Sequence, residues 1–230
     1  MNNKAPLSYR TTNLTLGTFL RIMFRPRYLG RDKIPVDGPL IIAANHLSHI
    51  DPAFIMTATK RPVSYMSKKE HFDGAIRRLV FKQVGVIPVD REEGGKEALK
   101  GAIEILEGGG AIGIFPEGTR SRDGKMGKGK TGVARLAALT GAAVVPVAIR
   151  QTDGVWPVSK RAPRPWRKFY YKFGDPMYFD YKEKNHENFR KFTDSIMLRI
   201  VELSDECEEY WEEKKITTRL KKRIAAWREK

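Results

Sequence analysis

His46 and Asp51 stand five residues apart in the run Asn45-His46-Leu47-Ser48-His49-Ile50-Asp51-Pro52, directly after the apolar stretch Leu40–Ala44. At this spacing an imidazole and a carboxylate can meet across a strand-to-helix turn. Such a pair makes a general base. The carboxylate keeps one ring nitrogen protonated and stabilises the imidazolium, while the other nitrogen takes a proton from an attacking hydroxyl. Taken alone the spacing is weak, and two other readings stay open. Asp51 before Pro52 is also a good helix N-cap with proline at the first helical position, which would give its carboxylate to backbone amides. His46, His49 and Asp51 are also metal-ligand types, although no further close His or Cys supports a metal site.

A second polar cluster follows another apolar run, in Phe115-Pro116-Glu117-Gly118-Thr119-Arg120-Ser121. Arg120 suits bidentate binding of a phosphate. Glu117 and Thr119 are placed to fix the hydroxyls of a polyol. A third cluster, Gly85-Val86-Ile87-Pro88-Val89-Asp90-Arg91, offers a second guanidinium. Arginines beside Asp90 or Glu117 also read as surface ion pairs of little worth, but three polar motifs at three strand ends argue for one site. The run Gly124–Thr131 matches the phosphate-loop pattern Gly-x4-Gly-Lys-Thr. It lacks the strand that should lead straight into it, since Ser121, Arg122 and Asp123 are polar. We read Lys125, Lys128 and Lys130 instead as a positive lip that attracts phosphate, with a solvated loop as the alternative.

These residues need elements to position them. Apolar runs at Leu40–Ala44, Val63–Met66, Val84–Pro88, Ala111–Phe115 and Ala142–Ile149 read as buried strands. Segments of helical character follow the first four, at Pro52–Thr59, Gly74–Phe81, Lys96–Leu106 and Thr131–Leu139. Glycines at 108–110 and 141 stop two of them. Lys168–Phe173 reads as a further strand. From about Glu187 the chain turns helical, with Phe189, Phe192, Ile196, Ile200 and Leu203 on one face, then an acidic cluster and a basic tail. The expected fold is α/β: a single domain with a largely parallel central sheet flanked by helices, over residues 32–185. An N-terminal amphipathic segment (1–31) precedes it and C-terminal helices (186–230) pack on it. In open sheets of this kind ligands collect outside the carboxyl edge, which is where the three clusters fall.

At 230 residues the chain buries its own core without staples. Its one cysteine, Cys207, excludes an internal disulfide framework. The formal net charge of +16 is local. Windows 1–31, 120–135 and 156–172 together carry +17, so the rest of the chain is close to neutral. Such windows call for an anionic partner. In the first, Leu14, Leu16, Phe19, Leu20, Ile22, Met23 and Phe24 crowd between Arg10 and Arg25. That stretch is too short to span a bilayer, and no small-residue cleavage site marks it as a signal peptide. An in-plane amphipathic anchor fits it, with an ordinary helix packed on the domain as the alternative. The third window interleaves Trp156, Trp166, Phe169, Tyr170 and Tyr171 with lysines and arginines. It suits a membrane interface or stacked bases equally, or a solvated loop leading into a strand.

Four boxes in order, Asn45–Asp51, Gly85–Arg91, Phe115–Ser121 and Val145–Val147, resemble those of the glycerolipid acyltransferases and span about half the chain. The resemblance implies that His46 is the general base with Asp51 as its partner. It also implies that Arg91, Glu117, Gly118 and Arg120 hold a glycerophosphate acceptor and that the acyl donor is a thioester, acyl-CoA or acyl carrier protein. No metal or other cofactor is expected. Transfer is direct, without an acyl-enzyme, which suits a chain whose only cysteine lies far from every box. The expected acceptor is 1-acyl-glycerol-3-phosphate, giving phosphatidic acid, with another lysophospholipid or an amino-acid-derived lipid as alternatives. Expected partners are an anionic membrane surface and no nucleic acid, with the protein peripheral or monotopic on the cytoplasmic face. The rival of another class is a non-catalytic protein that binds anionic lipid or RNA.

Overall fold

Each of the apolar runs read as a buried strand overlaps a strand, with residues 84–85 of the third run outside the described residues. The computed structural model describes residues 7–68, 86–89, 96–121, 123–157, 160 and 162–228. Along them run α1 (Leu7–Phe24), β1 (Arg27–Leu29), a 3-10 turn (Arg31–Lys33), β2 (Leu40–Ala44), α2 (Asp51–Ala58), β3 (Val63–Lys68) and β4 (Val86–Val89). Then come α3 (Lys96–Glu107), β5 (Ala111–Ile114), α4 (Gly132–Thr140), β6 (Ala143–Arg150), α5 (Thr152–Val155), β7 (Tyr170–Phe173) and α6 (His186–Arg228). The strands form one seven-stranded sheet in the order β1-β7-β6-β2-β5-β3-β4. Only β6 and β7 pair antiparallel among these strands, so the sheet is largely parallel.

β2 is central and buried throughout, and its side chains alternate between two layers. Leu40, Ile42 and Ala44 join Phe54 and Ile55 of α2 and Phe24 of α1 on one face. Ile41 and Ala43 join α3, α4 and α6 on the other. The helical face read from the C-terminal sequence is the one that packs: Phe189, Phe192, Ile196, Ile200 and Leu203 are all buried. Each contributes about 1.5–3 kcal/mol of apolar transfer. Asn185 caps that helix, its side-chain oxygen accepting the Asn188 amide at 2.9 Å.

The structure departs from the sequence reading in two places. Arg27–Leu29, at the end of the amphipathic segment, form edge strand β1, in register with Tyr170–Lys172 of β7. A three-residue edge strand beside arginines leaves no apolar run to read, and it joins segment 1–31 to the sheet. In place of several C-terminal helices, α6 is one helix of 43 residues, about 65 Å long at 1.5 Å per residue. The acidic cluster and the basic tail belong to that one helix. The helix expected at Gly74–Phe81 lies outside the described residues.

The sheet order sets the site. β2 and β5 are neighbours, Leu40 to Ala43 pairing with Ala111 to Ile114. The helix after β2 goes to one layer and the helix after β5 to the other. Two adjacent parallel strands whose connections part in this way leave a crevice at their carboxyl ends.

Candidate active site

The crevice begins with Asn45, which is buried and ends β2 with a side-chain clamp. Its amide nitrogen donates to the Ile149 carbonyl (3.0 Å) and its oxygen accepts the Ile149 N–H (2.7 Å). The clamp ties the turn to β6 just before the chain reverses.

His46 comes next. Its Nδ1 lies 2.8 Å from Asp51 Oδ2, with the imidazole 16% exposed and the carboxylate fully buried. The same oxygen accepts the amides of Leu47 (2.8 Å) and Ser48 (2.7 Å). Three donors on one oxygen fix where the carboxylate stands and which ring nitrogen it meets. The ring proton then belongs on Nδ1, and the lone pair of Nε2 is the basic one. The N-cap reading of Asp51 is corrected here. Ile50 occupies the cap position and Asp51 is the first helical residue. Its carboxylate turns back to the preceding turn instead of forward to the helix amides.

The ring is also held from the side. Phe115 stacks on it with centroids 3.9 Å apart and planes at 12°, and Tyr65 stacks on Phe115 at 5.8 Å and 22°. Tyr65 crosses β5 at Gly113, where a β-carbon would lie 2.2 Å from its ring atoms. Glycine is needed there because the aromatic ring occupies the space of any side chain.

Glu117 is buried beneath the next loop. One carboxylate oxygen accepts the His46 amide at 3.0 Å and the other the Gly127 amide at 2.8 Å. The Ser121 amide donates to the His46 carbonyl at 2.8 Å. The loop after β5 is thereby laced to the loop after β2, and in this arrangement Glu117 serves main chain rather than a polyol. Gly118 turns at φ 72° with its amide on the Phe115 carbonyl. The Lys130 ammonium stands over it, 2.8 Å from where a β-carbon would be. Thr119 and Lys128 are exposed on the same loop. Arg120 is half-buried, and its Nη1 donates to Nε2 of His49. His49 in turn lies against Trp156, with ring centroids 5.6 Å apart. Arg91 lies outside the described residues. The strand before it, β4, ends at the same carboxyl edge, separated from β5 by β3.

His46 Nδ1 faces a carboxylate and His49 Nε2 faces a guanidinium, and no group of three or more metal-ligand side chains forms among the described residues. One alternative, the phosphate loop, loses its support. In the run Gly124–Thr131 the Gly127 amide is taken by Glu117 and the Lys130 amide by the Pro116 carbonyl. Amides committed in this way cannot cradle a nucleotide phosphate. Sequence reasoning missed Asn45 as a clamp, Phe115 and Tyr65 as the stack, and His49 as the partner of Arg120. Of these only the stack left a trace, in the glycine inside strand β5, since glycine there signals a close approach.

A model of the protein family described as Acyltransferase matches residues 25–150. Over 131 residues the chain is 33% identical to the 1-acyl-sn-glycerol-3-phosphate acyltransferase LPAT1, chloroplastic, of Arabidopsis thaliana, a match covering 56% of this chain and 36% of that protein. It is 27% identical over 183 residues to the 1-acyl-sn-glycerol-3-phosphate acyltransferase of Bacillus subtilis, covering 78% of this chain and 88% of that one. The crystal structure of the 1-acyl-sn-glycerophosphate acyltransferase PlsC of Thermotoga maritima is similar with a TM-score of 0.69 and 26% identity, covering 88% of this chain and 78% of that chain. The chain spans little more than a third of the length of the chloroplast relatives it matches.

Proposed function

The chain belongs to the Acyltransferase family, and on that premise we propose that it moves a fatty acyl group from acyl-CoA or acyl carrier protein to the free hydroxyl of 1-acyl-sn-glycerol-3-phosphate. The product is phosphatidic acid. The observation that carries this reading is the His46–Asp51 pair at 2.8 Å, in a crevice whose rim carries Arg120. The names of the relatives support the choice of acceptor.

The acceptor's phosphate lies against Arg120, with Lys130 and Lys128 on the same loop and Arg91, which follows β4 in the sequence, adding positive charge. Gly118 lets the chain approach closely, and Thr119 offers a hydroxyl to the glycerol. The free hydroxyl then faces Nε2 of His46. As its oxygen attacks the thioester carbonyl, its proton passes to Nε2 and Asp51 stabilises the imidazolium. The carbon–sulfur bond breaks, and the imidazolium returns the proton to the departing thiolate. Acceptor, thioester and imidazole account for every proton and electron pair, so the reading calls on no metal or cofactor.

A lipid acceptor places the enzyme at a membrane surface. No helix among the described residues is long and apolar enough to cross a membrane. We assign α1, with Phe19 and Ile22 exposed and Arg21 beside them, to in-plane attachment on the cytoplasmic face. The test of the activity is thiol release with purified protein, acyl-CoA and lysophosphatidic acid. Wild type turns over, and His46→Ala lowers kcat by about 10²- to 10⁴-fold while acceptor binding persists. Undiminished turnover in the variant removes His46 from the mechanism.

A further inference from the structure

Trp166 is the only tryptophan outside α6 that the fold turns toward water, among the described residues: it is 63% exposed, and Leu14, Phe19 and Ile22 of α1 are exposed to a similar degree. Its backbone adopts the left-handed conformation (φ 68°), as does that of Arg25 at the end of α1 (φ 49°). That conformation is uncommon for residues carrying a β-carbon and is an outlier for a bulky one, so other contacts must impose it. Two are visible. The Trp166 amide donates to the Met23 carbonyl at 3.3 Å, and the Arg25 guanidinium lies over the indole, 5.1 Å from its centroid. The fold therefore braces a large apolar ring in an outward position.

The surroundings are basic. Lys160, Arg164, Arg167 and Lys168 are exposed on the same loop, and residues 156–172 hold no acidic side chain. The loop also stands at the edge that carries the site. Tyr170 pairs with Arg150 at the end of β6 and with Arg27 at the start of β1. At the loop's other end the Trp156 carbonyl accepts the Ser48 hydroxyl at 2.7 Å, and its ring meets His49. One loop thus reaches from the catalytic turn to the end of α1.

We propose that Trp166, braced by Arg25, is a membrane anchor that enters the headgroup region of an anionic bilayer beside α1 and holds the mouth of the His46 crevice against the lipid surface. This rests on the reading of the protein as a lipid acyltransferase. Indole suits the membrane interface, and arginine and lysine around it meet lipid phosphates. Leu14 and Ile22, exposed on α1, the helix whose Met23 carbonyl the Trp166 amide meets, decide against nucleic acid, whose phosphates and bases offer exposed aliphatic side chains nothing comparable to an acyl layer.

The test uses the full chain and vesicles of phosphatidylglycerol and phosphatidylcholine without substrate, so that it does not depend on turnover. Wild type sediments with the vesicles, and brominated lipid quenches its tryptophan fluorescence. Trp166→Ala weakens partitioning by about tenfold, the scale of one large side chain leaving the interface. Trp166→Phe, the variant that keeps a buriable ring and guards against misfolding, binds within about threefold of wild type and loses the larger part of the quenching. Unchanged vesicle binding in Trp166→Ala, or unchanged quenching in Trp166→Phe, overturns the proposal. So does a loss in Trp166→Ala confined to binding of a labelled RNA oligonucleotide. Vesicle binding that follows these expectations in a protein releasing no thiol would instead count against the proposed activity.

Discussion

His46 is held by Asp51 at Nδ1, by Phe115 across its face and, through its main-chain amide, by Glu117. In the proposed mechanism the first of these carries the chemistry, since it sets the tautomer. In Asp51→Asn the carboxamide oxygen still accepts the Leu47 and Ser48 amides, so the turn keeps its shape. What it no longer supplies is the charge that stabilises an imidazolium. We expect kcat to fall by about 10³- to 10⁴-fold, with KM for either substrate little changed and the melting temperature near that of wild type. Steady-state thiol release checks this, and near-normal kcat would show that Asp51 only shapes the turn. Arg120 has a separate role in this scheme. Arg120→Ala raises KM for the acceptor and leaves KM for the donor unchanged, and an unchanged acceptor KM would place the phosphate elsewhere.

Two loops from neighbouring strands make the crevice, and Glu117 is the joint between them. Glu117→Ala removes the acceptor of the part-buried His46 and Gly127 amide hydrogen bonds, at about 0.5–1.5 kcal/mol for each. We expect a lower melting temperature and a loop 116–131 cut sooner by trypsin at Lys125, Lys128 and Lys130. Equal cleavage rates in variant and wild type would mean that the loop is held by other contacts. Strand β5 carries the companion constraint. A methyl at Gly113 would overlap the Tyr65 ring, so Gly113→Ala should destabilise by about 1–3 kcal/mol, the range for overpacking a core. Because Tyr65 backs Phe115 and Phe115 backs His46, the same variant should also lower kcat. Denaturant titration and kinetics measure the two effects separately.

Across the whole molecule, aromatic side chains join the layers beneath the site. Tyr28 of β1 donates to the Phe54 carbonyl of α2 at 3.0 Å and meets the Thr57 hydroxyl at 2.6 Å. Burial pushes its phenol up from the ordinary value of 10.0 to about 12, against the opposing pull of Thr57 and Arg31. In the unfolded chain the phenol ionises near 10, so the folded state keeps a proton that the unfolded state loses. The stabilisation is whole below pH 10 and disappears as pH rises toward 12, by up to about 1.4 kcal/mol per pH unit. Tyr28→Phe should therefore be less stable at neutral pH, where it lacks both hydrogen bonds, yet lose less stability between pH 10 and 12. Chemical denaturation at pH 8 and pH 11 compares the slopes, and parallel losses would assign the alkaline transition to other groups.

Much of this was legible in the sequence because burial and local chemistry leave periodic traces. The apolar runs became strands, the face of α6 was readable at its 3.6-residue spacing, and glycines marked helix ends such as Gly141. The His46–Asp51 pair was legible too, since a five-residue turn fixes its geometry from within. What one segment cannot encode is which other segment lies beside it. Strand order put Glu117 under His46, Phe115 against its ring and His49 on Arg120, contacts between residues up to 71 positions apart. A short edge strand among arginines, and a tryptophan braced outward by the end of a distant helix, likewise owe their places to packing. The sequence by itself determined the elements and the His46–Asp51 pair, through periodicity and short-range spacing. Only the tertiary structure decided the neighbours, because those are chosen by the sheet's order and by the free energy of closing its two layers.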